Sequence, residues 1–136
     1  MDNIKQFFTG DRYAKLSGIE LVSVSPGHAI TQMSIQDHHL NAIGSVQGGA
    51  IFTLADLAFA AASNAHGTVA VGINVSITYM KAVSSGTLRA EAREVSVNPK
   101  LGSYTVNITD DAHNLIAVFQ GLVYRKGQTL DFAVKG

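Results

Sequence analysis

The stretch "VQGGAIFTLADLAFAAASNAHG" (residues 46–67) opens on two glycines, runs apolar for most of its length and carries one carboxylate, Asp56, near its middle. Ile51, Leu54, Ala58, Ala61 and Ala65 recur at helical spacing, so the stretch reads as a helix with one face turned to a core. Gly49, Thr53, Asp56, Ala60 and Ser63 make a second stripe of small or polar side chains, along which another chain or a thin ligand can come close. Gly67 follows His66 where a left-handed cap would end such a helix.

Working outward, "IELVSVSPGHAITQMSIQ" reads as two strands joined at Pro26-Gly27. Phe7, Phe8 and Leu16 mark a short amphipathic helix over about residues 2–16, and the polar "DHHLNAIGSVQ" leads into the long helix. Four strand-like segments follow the helix. In "VAVGINVSITYM", Val69, Val71, Ile73, Val75, Ile77 and Tyr79 alternate with a smaller, more polar face of Gly72, Asn74, Ser76 and Thr78, which offers a second interface. "GTLRAEAREVSV" alternates less strictly, "SYTVNITDD" puts Tyr104, Val106 and Ile108 on one face before an Asp110-Asp111 turn, and "LIAVFQGLVYR" is apolar enough for a central strand. Two strands, one helix and four strands on short turns predict an α+β fold, an antiparallel sheet with one helix across its face, as a single domain over residues 1–136.

Composition narrows the function. Lys and Arg total 10 against 10 for Asp and Glu, with no basic cluster, so nucleic acid and anionic membrane are not expected partners. The absence of cysteine excludes disulfides, thiolate nucleophiles and Cys-ligated metals. The N-terminus lacks a continuous apolar run, and Ala50–Ala62, interrupted by Thr53 and Asp56, is too short to cross a bilayer. The expectation is a soluble, cytoplasmic protein. The five histidines include no His-x-x-x-His pair, so no metal is expected.

Asp56 lies beyond the first turn of its helix, where the dipole gives it no help, and desolvation there would raise its pKa. It is either a working acid or base, or an ordinary solvated or structurally paired Asp. Gly48 and Gly49 sit where helix N–H groups lack intrahelical partners and can meet an oxyanion, or else they allow close packing. "GSVQGGA" fits neither the phosphate loop nor the dinucleotide fingerprint. Gly48 and Asp56 are separated by roughly 12 Å along a helix rising about 1.5 Å per residue, so one small reacting group cannot touch both in one protomer. Joint action requires two antiparallel helices and hence a dimer. A carboxylate, a water and N–H donors suffice to hydrolyse an activated acyl group, above all a thioester, whose thiolate leaves without a general acid. No Gly-x-Ser-x-Gly elbow is present, and no second carboxylate pairs with Asp56 as a glycosidase needs.

"HLNAIGSVQGGAIFTLADLAFAAASNAHG" followed by "VAVGINVSITYM" resembles the hotdog-fold acyl-CoA thioesterases of the phenylacetate-degradation (PaaI) type, over about residues 18–125. Asn41, Gln47-Gly48-Gly49 and Asp56 keep that family's spacing. The resemblance implies a sheet wrapped around one long central helix, a homodimer commonly assembled into a homotetramer, and hydrolysis of an aryl- or medium-chain acyl-CoA at the dimer interface without a further cofactor. It implies Asp56 as general base or nucleophile, the Gly48 N–H polarising the carbonyl, and Asn41 positioning water or carboxylate. Gly49, Tyr79, Asn98 and Lys100 would then contact substrate or CoA. Gln47 stands where relatives usually have His, and Gly72 where some place a hydroxyl. Gln47 can donate a hydrogen bond but cannot shuttle a proton. A non-catalytic acyl-CoA-binding module is the alternative on the same fold. A hotdog enoyl-thioester hydratase is disfavoured because the helix offers no cooperating His.

Overall fold

The computed structural model describes residues 2–130. Strands β1 (Ile19–Ser25) and β2 (His28–Ser34) form a hairpin closed at Pro26-Gly27, with Gly27 at φ +79°. Helix α3 (Gly48–Asn64) follows, then β3 (Thr68–Tyr79), β4 (Thr87–Val97), β5 (Leu101–Thr109) and β6 (Leu115–Thr129). All pairings are antiparallel, in the order β1-β2-β4-β5-β6-β3. This is the hotdog arrangement: the sheet wraps α3, and β3 crosses from the end of the helix to the far edge. The apolar β6 lies inside the sheet, but next to the edge strand rather than at the centre.

The expected N-terminal helix is two helices, α1 (Asp2–Phe8) and α2 (Arg12–Leu16). Asp11 breaks the run because its side chain accepts the Ala14 N–H at 3.0 Å and caps the second helix. At the other end, α3 stops at Asn64 with Ala65 as cap, and Gly67 takes φ +89° one residue later than a simple left-handed cap would place it.

The helix face read from spacing is the buried one. Ile51, Leu54, Ala58, Ala61 and Ala65 are at most 4% exposed. Alanines at 55, 58, 61 and 62 are fully buried and let the helix backbone lie close to the sheet. Buried Thr31 fixes that approach by donating its hydroxyl to the Leu54 carbonyl at 2.8 Å. Asn64 ties the helix end to β3, exchanging two hydrogen bonds with the Ala70 backbone.

Phe59 fills the remaining space. Its ring contacts Phe119 and Tyr104 at centroid distances of 5.4 and 5.8 Å. The ring also presses on two glycines: a Cβ at Gly121 would sit 2.6 Å from Phe59 Cε1 and Cζ, and one at Gly72 3.0 Å from Cε2. Gly72 therefore faces the helix, and does not share the outer polar face with Asn74, Ser76 and Thr78. The reason is a register shift in β3 between Gly72, paired with Val123, and Asn74, paired with Leu122. That bulge reverses the alternation that the sequence suggests. Phe59, 2% exposed, belongs to the core.

Gly121→Ala is expected to destabilise the fold by about 1–3 kcal/mol, the usual cost of overpacking a filled core. Chemical denaturation reads this, and adding Phe59→Leu should recover part of the loss, since the two sites are in contact. Equal destabilisation in the presence and absence of Phe59→Leu would show that the ring is not what the glycine accommodates.

Candidate active site

The loop before α3 is shaped by Asn41. Its Oδ1 accepts the N–H groups of Ile43, Gly44 and Ser45 at 2.9, 3.1 and 3.2 Å, folding residues 41–45 into a tight turn. Its backbone N–H donates to the Ser45 carbonyl at 2.7 Å, and Leu40 bridges Val46. Only the Asn41 Nδ2 group, 3.4 Å from Ser45 Oγ, remains to meet another partner.

The turn delivers Gln47 to the start of the helix. Its N–H donates to the His39 carbonyl at 2.8 Å, while the Val46 N–H donates to Val83 at 2.9 Å and anchors the helix entrance to the β3–β4 connection. The Gln47 carbonyl receives the Ala50 and Ile51 N–H groups, but its exposed side chain makes no capping bond. The N–H groups of Gly48 and Gly49 have no hydrogen-bond partner among the described residues. They are the orphan donors that a helix N-terminus leaves for a carbonyl oxygen or anion.

Tyr79, at the end of β3, donates its hydroxyl to the Gly48 carbonyl at 2.9 Å. A Cβ on Gly48 would stand 3.0 Å from the Tyr79 ring and hydroxyl, so close packing also calls for glycine here. Tyr79 is thus a support for the helix entrance, with an edge left open to solvent, and burial raises its phenol pKa.

Asp56 projects from the outward stripe two turns further on. Gly49 and Asp56 are exposed and Thr53 half-buried, whereas Ser63 at the far end of the stripe is closed off. Although Asp56 keeps a solvent-facing edge, the protein around its carboxyl withdraws enough water to raise its pKa, and the negative charge of Asp11 adds to the rise.

The turn bearing Asn98 and Lys100 lies elsewhere. Asn98 Oδ1 accepts the Lys100 and Leu101 N–H groups at 2.9 and 2.8 Å, so its side chain builds the turn, and the Lys100 side chain is exposed. Leu101 pairs with Tyr124, which pairs with Val71, whereas Tyr79 pairs with Ala117. Along β3, Val71 and Tyr79 are roughly 26 Å apart at about 3.3 Å per residue. One protomer therefore carries Gly48 and Tyr79 toward one end of the sheet and Lys100 at the other.

Two structural contributors escape the sequence reading. His39 is 4% exposed rather than a free loop residue: Nδ1 accepts the Gln36 N–H at 2.9 Å and Nε2 meets the Ser17 carbonyl at 2.7 Å. Asp11 caps α2 and also acts electrostatically on Asp56. Neither stands out by pattern, because both roles arise from contacts between distant segments. Among the described residues, no group of three or more His, Asp or Glu could hold a metal ion, and no helix is long and apolar enough to cross a membrane.

A profile of the Thioesterase superfamily matches residues 43–117, from the Asn41 turn into β6. The chain is 42% identical over 127 residues to a protein of Archaeoglobus fulgidus that carries a provisional esterase name, covering 92% of this chain and 82% of that one. It is 33% identical over 129 residues to acyl-coenzyme A thioesterase PaaI of Escherichia coli, covering 94% and 92%. A solved structure of E. coli PaaI, a protein of the phenylacetic acid degradation operon, matches with TM-score 0.91 at 32% identity over 96% and 95% of the two chains. The Streptococcus mutans protein smu.793, solved bound to acetyl CoA, matches with TM-score 0.78 at 28% identity over 82% and 91%.

The raised Asp56 pKa has a consequence for stability. The fold favours the neutral acid, so its contribution is fully present below the ordinary value of 3.8 and is lost as pH rises through the raised value. At neutral pH the ionised Asp56 opposes folding, and Asp56→Asn should raise the melting temperature there. Thermal melts across pH should show this gain shrinking as the pH is lowered through the raised value. A lower melting temperature for Asp56→Asn at neutral pH would mark Asp56 as a structural partner instead.

Proposed function

Because the chain belongs to the Thioesterase superfamily, we propose that it hydrolyses acyl-CoA thioesters to the free acid and CoA. The observation that carries this reading is the outward face of α3: unpartnered Gly48 and Gly49 N–H groups at its start and a carboxylate of raised pKa two turns on. The N–H donors suit the oxygen that becomes negative as a thioester carbonyl is attacked. Asp56 takes a proton from the attacking water, or attacks the carbonyl carbon itself, and the thiolate of CoA leaves. The Asn41 amide is left to orient the water or the carboxylate. Gln47 supplies a neutral donor, so proton transfer falls to Asp56 alone.

The separation of roughly 12 Å between Gly48 and Asp56 makes the site a shared one, with the glycines of one protomer serving the Asp56 of its partner. The edge of the sheet supports a homodimer. β3 is a 12-residue edge strand with Val71, Ile73 and Tyr79 at 40%, 54% and 48% exposure, and such an edge is ordinarily covered. Antiparallel pairing of two β3 strands would carry the Lys100 end of one protomer toward the Gly48 and Tyr79 end of the other, where the Lys100 ammonium can meet a CoA phosphate. The polar outer face of Asn74, Ser76 and Thr78 is then available for assembly into a homotetramer. A cytoplasmic setting fits a CoA ester as substrate. Aryl- and medium-chain acyl-CoAs are the proposed substrate class, and the operon of E. coli PaaI makes phenylacetyl-CoA the first to test.

Asp56→Asn should lower kcat by about 10²- to 10⁴-fold, the usual scale for a lost general base, with folding and CoA-ester binding retained. Free-thiol release measures it, and near-normal turnover would defeat the mechanism. The shared site has its own test. Gly48→Pro removes the N–H donor at a first-turn position whose backbone suits proline. It is made in a Tyr79→Ala background, because a Cβ at 48 would stand 3.0 Å from the Tyr79 ring, and against that background should cost about 10²- to 10³-fold. Refolding it together with Asp56→Asn in the same background should restore roughly a quarter of that background's activity, because half of the dimers are mixed and each holds one intact site. A mixture as inactive as its components would place each site within a single chain.

A further inference from the structure

A cleft of about 510 Å³ lies between the N-terminal helices and β1, within the range of about 300–1,000 Å³ usual for small-molecule pockets. Its apolar walls are Phe8, Ala14, Ile19, Leu21 and Leu57. The cleft is held in shape from two sides. Lys5 donates to the Val22 carbonyl at 3.2 Å, strapping α1 to β1, and the Asp11 cap fixes the start of α2.

The cleft adjoins the proposed site. Leu57, in its wall, is the residue after Asp56 and lies about 100° around the same helix. Asp11 is also in the wall, and the Asp56 carboxyl feels its charge. An acyl group whose carbonyl carbon is addressed by Asp56 finds apolar surface beside it if it turns into such a space. Phe59 cannot supply that surface, since it is sealed in the core.

We infer that this cleft receives the acyl tail of the substrate, and that α1 and α2 set the tail's length and shape. The inference rests on the thioesterase reading for its orientation and adds the subsite. The superfamily profile begins at residue 43, so every wall but Leu57 comes from outside the matched stretch. Gly48, Gly49 and Asp56 thus lie in the shared segment, and the acyl selectivity resides in residues 5–21.

Binding of non-hydrolysable alkyl-CoA thioethers, from ethyl to decyl, tests this by calorimetry. In the wild type, affinity should rise by about threefold to fourfold per buried methylene until the cleft is full. Leu21→Trp should leave the ethyl thioether unaffected and flatten the rise for longer chains. Phe8→Ala, which removes bulk from a half-buried position, should extend the rise to longer chains and so provides an opposite readout if the tryptophan variant does not fold. The same chain-length dependence in wild type and variants, or none in the wild type, would overturn the inference. The analogues require no turnover, so the two proposals separate. An active enzyme with an unaltered chain-length profile in both variants loses only the cleft, and an inert protein that keeps the profile and its response to the variants loses only the hydrolase.

Discussion

The insertion of the Phe59 ring against Gly72 and Gly121 is the contact on which the rest of the structure depends. A helix can lie flat across a sheet only where facing side chains leave room for it. Here the helix supplies alanines along most of its contact line and one large ring, and the sheet supplies two residues without side chains to receive that ring. Close packing of this kind tolerates little change in volume. It also fixes how far α3 is rotated, and therefore which stripe of the helix is turned away from the sheet.

That outward stripe is where the proposed chemistry lies. With the core face fixed by packing, Gly49, Thr53 and Asp56 are left on the side turned from the core, and the orphan N–H groups stand at the start of the same helix. The entrance to the helix is held from three directions: the Asn41 turn, the His39 carbonyl and the Tyr79 hydroxyl. These contacts stiffen the donors before any ligand arrives, which is how hydrogen-bond donors become effective toward a developing charge. The carboxylate is treated in the opposite way, since removal of water and the proximity of Asp11 oppose its ionisation. A group held against its preferred charge state costs stability, and such groups concentrate at functional sites.

The two ends of the molecule are complementary in what they lack. Gly48 and Tyr79 stand toward one end of β3, and the Lys100 turn stands beside the other. β3 itself presents an unpaired edge with exposed apolar side chains. The protomer thus has both an uncovered edge and a divided set of proposed site residues, and the proposed twofold pairing along that edge would remedy both.

The sequence by itself determined the order of the elements, the buried face of α3 and the outward position of Asp56, because periodicity of 3.6 or 2 residues is a local property of the chain. It also carried the Asn41, Gln47-Gly48-Gly49 and Asp56 spacing that points to the thioesterase family. Only the tertiary structure decided the rest. The bulge in β3 moved Gly72 to the helix side, where pairing with β6 overrode simple alternation. Phe59 proved to be core because two glycines distant in sequence make space for it. His39 and Asp11 acquired their roles from Ser17, Gln36 and Asp56, partners that no local pattern connects to them. The N-terminal cleft exists only because α1 and α2 fold back over β1 and Leu57. Local pattern specifies which way a side chain points within its own element, whereas what it meets there depends on segments brought together by burial of the common core.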